Sequence, residues 1–122
     1  MQNLDQIRAD NALMACGLKP VSSGRAPVAR VADSGVTKLP ALVVNNGLLA
    51  AAAFAEKKGD ELLRAMDAVA WHLADDRIRR LPSNRTNTRG LTEHLVASDS
   101  LALRLAAAEA LNFLSYLKRY AP

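Results

Sequence analysis

LPALVVNNGLLAAAAFA, running from Leu39 to Ala55, is the most apolar stretch of the chain, yet Asn45-Asn46-Gly47 sits in its middle. A bilayer-spanning helix needs roughly 20 predominantly apolar residues. Here the unbroken apolar run is only Leu48 to Ala55, and Glu56-Lys57-Lys58 ends it. Two asparagine amides and a glycine at mid-depth would add a further penalty in lipid. The stretch therefore belongs inside a soluble protein, as a helix broken or kinked near Asn45-Asn46-Gly47. Asparagine is a good N-cap for the second half, because its side-chain oxygen accepts a backbone N–H of a new first turn. The Ala50-Ala51-Ala52-Ala53 run removes side-chain bulk on every face, so neighbouring helices can approach closely, with Phe54 filling the gap. A helix apolar all round is normally a central one, which makes this segment the expected hub of a bundle.

The rest of the chain agrees with a helical reading. The hydrophobic fraction is 50%, carried by alanine and leucine, while aromatics make up only 4%. Both of those residues are strong helix formers, and little of the chain alternates as a half-buried strand does. With 122 residues the expectation is an all-α fold, one compact domain over 1–122 with five to six helices. One cysteine, Cys16, excludes a disulfide framework and favours a cytoplasmic location. No basic patch followed by an apolar core is present at the start, so no signal peptide is expected.

Moving outward from the apolar stretch, Thr37 with Pro40 in the first turn predicts its helix start. Leu4 to Ala15 predicts a first helix stopped by Gly17, Lys19 to Gly24 a linker, and Pro27 a short helix from Ala26 to about Asp33. On the other side, Gly59 ends the central segment and Asp60-Glu61 opens a helix with the stripe Leu62, Leu63, Met66, Val69, Ala70 and Leu73. Pro82 to Gly90 lacks any large apolar residue and reads as a mobile basic loop. A short helix from Leu91 to Ala97 follows, and Asp99 caps a final helix from Ser100 to about Tyr120.

Patterns for catalysis are weak. His72 and His94 have no partner at metal-ligand spacing, there is no CxxC, and Cys16 has no nucleophile motif around it. Asp75-Asp76 point in different directions on a helix, so they read as a solvated face. No catalytic residue, metal or cofactor is expected, and no enzyme activity. Trp71 lies about a third of a turn from the core stripe, on the side of Ala74 and Ile78. Either the helix is packed on two sides, or this is an exposed strip for a partner subunit, where tryptophan is a favoured anchor.

Charge points to an anionic partner. Lysine and arginine number 16 against 12 acids, a net charge of +4. Between Arg77 and Arg89 there are five arginines and no acid. Lys38, Arg77, Arg80, Arg85 and Arg89, with Arg104, Lys118 and Arg119 on the outer side of the last helix, are the candidate contacts to an RNA backbone. Such contacts give affinity without sequence preference and weaken steeply with salt.

Lys38-Leu39-Pro40-Ala41-Leu42-Val43-Val44-Asn45-Asn46-Gly47-Leu48, followed by an alanine-rich turn and Phe54-Ala55, resembles an "LPALI…NGL…AF" segment. Ala107-Ala108-Glu109-Ala110-Leu111 with Leu114-Ser115-Tyr116-Leu117-Lys118-Arg119-Tyr120-Ala121 is similar to an ending "EAL…L.WLKRFA". Both belong to the small α-helical subunit of the type III-B (Cmr) CRISPR RNA-guided effector complex. Tyr116 stands where an aromatic, often tryptophan, is usual, and Val31 to Val36 replaces an aromatic before the first motif. The resemblance implies a non-catalytic subunit whose copies stack head to tail beside the guide-carrying backbone subunits and help line a groove for guide RNA and target RNA. It also implies that Lys38 and Asn46 lie at turns of the central segment and that Lys118 and Arg119 contact the RNA backbone. The alternatives are a type III-A small subunit, a helix-turn-helix DNA-binding regulator, and a protein-only adaptor using Trp71, Ala74 and Ile78; none of them involves a membrane.

Overall fold

A computed structural model describes residues 2–122 and contains, among them, six α-helices and no strand. They are α1 (Leu4–Ala15), α2 (Asp33–Asn46), α3 (Leu48–Lys58), α4 (Asp60–Leu73), α5 (Thr88–Val96) and α6 (Ser100–Tyr120). The all-α expectation holds. No helix of the described residues is long and apolar enough to cross a membrane.

Local chemistry sets most boundaries. Asn3 and Gln6 form a reciprocal capping box at the start of α1, each side chain accepting the other's backbone N–H at 2.9 Å. The expected Asp99 cap opens α6, with its carboxylate 2.8 Å from the Ala102 N–H. Leu39 to Ala55 is two helices meeting at one residue, Gly47, whose φ of 90° few other residues adopt without strain. No asparagine side chain caps α3; Gly47 occupies that position.

Three expectations require correction. The short helix expected from Ala26 to about Asp33 is absent: residues 26–32 have no regular secondary structure, because their backbone is engaged elsewhere, and Asp33 already belongs to α2. The Ala26 carbonyl accepts the Trp71 Nε1–H at 2.8 Å, and the Val31 N–H donates to the Ala15 carbonyl at 3.0 Å. Second, α2 starts at Asp33, four residues before Thr37, and so carries Pro40 in its interior. Proline removes a helical donor there, but Val36 and Leu39 are wholly buried, and packing of an apolar face outweighs propensity. Third, the polyalanine segment is one-sided: Ala51, Ala52 and Ala55 face the core, whereas Phe54 is 40% exposed.

The hub is α4. Nine of its 14 residues are buried, and it packs against α2, α3, α5 and α6. Its start meets α2 so closely that a Cβ built on Gly35 would lie 2.2 Å from the Glu61 carbonyl oxygen. At the far end, the run expected as a loop from Pro82 to Gly90 closes as the first turn of α5. Asp67 of α4 accepts both the Thr88 N–H (2.8 Å) and its Oγ–H (2.6 Å), and Asn87 caps the Gly90 N–H.

Candidate nucleic-acid interface and the buried cluster behind it

Eight basic residues were expected at an RNA-binding surface, and the structure sorts them by what already holds them. Lys38, Arg80, Arg104, Lys118 and Arg119 are exposed. None of these five has a carboxylate within 4.0 Å among the described residues. Arg85 pairs with Glu93 at 3.0 Å and Arg89 with Glu56 at 2.9 Å. Exposed pairs of this kind are worth about 0–1 kcal/mol, so a phosphate can displace the carboxylate. Arg77 is different. Its guanidinium lies 2.8 Å from the buried Asp75 carboxylate and 3.5 Å from Asp10, so although the residue is exposed its charge is already committed to the buried carboxylate.

Grouping is partial. Arg104 lies between Lys118 and Arg119 around α6, about 40° from the first and 60° from the second, so the three span about 100° and are strung along roughly 22 Å of its outer side. The Arg119 guanidinium sits 5.5 Å from the Tyr116 ring centroid. Lys38 lies in a separate hollow of about 430 Å³ with Phe54 and Lys58, the ammonium of Lys58 being 6.0 Å from the phenyl centroid. Arg80 shares a second hollow with Arg79 and His94. Lys58, Arg79 and His94 were not among the expected contacts, since nothing in their spacing reveals which neighbours the fold brings.

The strip of Trp71, Ala74 and Ile78 is not a surface. Trp71 is 1% exposed, and the other two are also buried. The helix is packed on two sides, because the linker before α2 folds over it. Arg25 stacks on the indole at 3.6 Å and donates to the Trp71 carbonyl at 3.2 Å. A cation over an aromatic face in a desolvated setting stabilises by about 2 kcal/mol.

Behind these surfaces lies a polar cluster that no sequence pattern announced. His72 is wholly buried, and Asp75 and Glu109 are each 7% exposed. Asp75 is thus internal, contrary to its reading as part of a solvated face. Asn11 joins the parts: its Nδ2 donates to His72 Nδ1 (2.8 Å) and Asp75 Oδ2 (2.9 Å), while its Oδ1 accepts from Arg25 (2.6 Å). That orientation fixes the imidazole tautomer. Nδ1 accepts, so the proton is on Nε2, which donates to Glu109 Oε2 at 2.9 Å. The ring also stacks on Phe113, with centroids 4.0 Å apart. Arg8 completes the set with two bonds to Glu109, at 2.7 and 2.8 Å.

The electrostatics follow. Burial pushes the His72 pKa down from its ordinary 6.5, outweighing the upward pull of Glu109, so the ring is neutral. Burial alone would raise Glu109, but the hydrogen bonds from Arg8 and His72 prevail and hold it at about 2. Asp75 is likewise held well below the carboxylate range, because Arg77, Asn11 and Arg25 together outweigh its burial. Both imidazole nitrogens are occupied and the ring is sealed from solvent. The cluster therefore acts as a cross-link between α1, the linker, α4 and α6. Cys16 is similarly enclosed; burial pushes its thiol up.

A family model, Cas_Cmr5, described as CRISPR-associated protein, matches residues 8–122. No curated protein and no solved structure matches the chain.

Proposed function

Because the chain belongs to the Cas_Cmr5 family, and is thereby a small subunit of the type III-B (Cmr) CRISPR complex, we propose that it is a non-catalytic structural piece of that assembly. In this reading its copies stack into a short filament beside the guide-carrying subunits. Lys38, Arg80, Arg104, Lys118 and Arg119 then contact the sugar-phosphate backbone of guide and target RNA. Arg85 and Arg89 join them by exchanging weak carboxylate partners for phosphate.

The observation that carries the proposal is the set of five exposed cations without carboxylate partners among the described residues, three of them on one side of α6. Phosphate contacts need such residues, and they position a nucleic acid without reading its bases. A structural role is supported by the His72–Asp75–Glu109 cluster, which is closed to substrate and bonded throughout. With Trp71, Ala74 and Ile78 internal, stacking has to use other side chains, such as Leu101 and Leu105, which are 55% and 40% exposed.

The test is RNA binding by the reconstituted complex across a salt series. Each lost contact to single-stranded RNA lowers the logarithmic salt slope by about 0.7. Replacing Lys118 and Arg119 together by alanine is expected to flatten it by about 1.4 per bound copy. An unchanged slope in a correctly assembled complex refutes the assignment.

A further inference from the structure

Between the turn that follows α4 and the outer side of α5 lies an open hollow of about 370 Å³, lined among others by Asp76, Arg79, Arg80, Pro82, Ser83 and His94. We propose that this hollow is a binding site for the phosphate group of a nucleotide, with Arg79 and Arg80 on the phosphate oxygens and Ser83 and His94 as additional donors. The inference shares Arg80 with the backbone-contact reading and goes beyond it in Arg79, Ser83, His94 and the hollow they line.

The backbone shows how the site is built. After α4 the chain reverses: the Arg79 N–H bonds to the Asp75 carbonyl at 2.8 Å, and the Arg80 and Leu81 N–H groups both bond to the Leu73 carbonyl at 3.0 Å. The reversal holds Arg79 at φ 56°, in the left-handed region. A residue with a Cβ is uncommon there, and glycine adopts it without strain. An arginine in this place gives the turn a long cationic side chain where a small residue would serve the backbone better. That side chain is partly anchored, with Nε donating to the Asp76 carbonyl at 2.9 Å, which leaves its terminal nitrogens available.

The lining suits an anion that also presents a flat, partly apolar body. Two guanidiniums against the one carboxylate of Asp76 leave a net positive hollow. Arginine's planar fork matches phosphate oxygens two at a time. Ser83 supplies a hydroxyl and His94 a ring N–H. Pro82 gives an apolar wall, and the volume falls at the lower end of the range for small-molecule sites. Two phosphate sources fit this chemistry: the terminal phosphate of a mononucleotide and a diester within a strand.

The experiment is an NMR titration of the isolated full-length chain with AMP and, separately, with a short oligouridylate lacking terminal phosphates. The Ser83 amide and the His94 ring are followed. Saturable shifts at both residues are expected. A response to AMP alone assigns the site to terminal phosphates, to the oligonucleotide alone to diesters, and to both to phosphate generally. Arg79→Gly removes one guanidinium while relaxing the turn, so the thermal midpoint is expected to hold or rise while binding weakens about tenfold. Asp76→Asn is expected to tighten binding. The Lys118/Arg119 double alanine variant is expected to bind as the native chain does, which separates this site from the backbone-contact surface. Absence of any shift at Ser83 and His94 with both ligands at millimolar concentration overturns the proposal. So does undiminished affinity in a folded Arg79→Gly variant.

Discussion

Replacing Asn11 by alanine removes four hydrogen bonds at once, the longest being the 3.4 Å one from Arg77, and their costs differ. Asp75 loses one donor but keeps the Arg77 backbone N–H at 2.9 Å and the Arg77 guanidinium at 2.8 Å. Arg25 loses its 2.6 Å acceptor yet retains the Trp71 carbonyl at 3.2 Å. His72 Nδ1 has no other partner, and its ring is wholly buried. A stranded buried acceptor costs about 1–3 kcal/mol, and each bond lost with a remaining alternative roughly 0.5–1.5. The sum is on the order of 3 kcal/mol, a large share of the roughly 5–15 kcal/mol available to a domain. Urea unfolding reads this directly: with a slope of about 1–3 kcal/mol per molar, the midpoint falls by about 1–3 M. A second readout is chemical. In the native chain a proton on His72 Nδ1 would face the Asn11 amide, donor against donor. Alanine removes that opposition, so the His72 pKa rises toward its ordinary 6.5 in an NMR titration. A loss of stability below about 1 kcal/mol, together with an unmoved or lowered His72 pKa, would refute the reasoning.

Three further outcomes are expected. The folded-state pKa of His72 lies below 6.5, so the unfolded chain binds that proton first, and stability declines as pH falls through 6.5. Glu109, held at about 2 against an ordinary 4.5, adds stability that is complete above 4.5 and lost toward 2; thermal midpoints therefore fall shallowly, then steeply, and a flat acid limb would contradict the cluster. Gly35→Ala forces a Cβ against the Glu61 carbonyl and costs about 1–3 kcal/mol or more, measured by calorimetry. Trp71→Phe leaves the Ala26 carbonyl without its donor and loses roughly 1–2 kcal/mol, with faster hydrogen exchange at the Val31 amide as the linker loosens.

The fold was legible where the chain's own chemistry decides it. Gly17 and the Leu4 periodicity bound α1, Asp99 caps α6, and Gly47 breaks the apolar stretch, all of them local signals. It was illegible where distant residues decide. The segment from Ala26 to Asp33 has helical composition, but its hydrogen bonds go to α1 and Trp71, and Pro40 is carried inside α2 by tertiary packing. Cationic character at the candidate interface was legible from composition. Pairing was not, since Arg89 and Glu56 are 33 residues apart. The buried cluster gave no signal: Asn11 reaches His72 across 61 positions and Arg8 reaches Glu109 across 101.

That last span bears on the order in which the molecule is made. α1 packs mainly on α6, so the earliest of the six helices in chain order has its principal neighbour in the latest. Until residue 109 emerges, Arg8 and the His72 imidazole lack their shared carboxylate, and the nascent polypeptide keeps these polar groups hydrated instead of burying them. Closing so long a loop adds little equilibrium penalty, because the entropy grows only with the logarithm of length. It does delay completion, since folding slows as contacts become less local. The seam between α1 and α6 is therefore expected to close after the packing of α2, α3, α4 and α5, whose contacts are nearer in sequence.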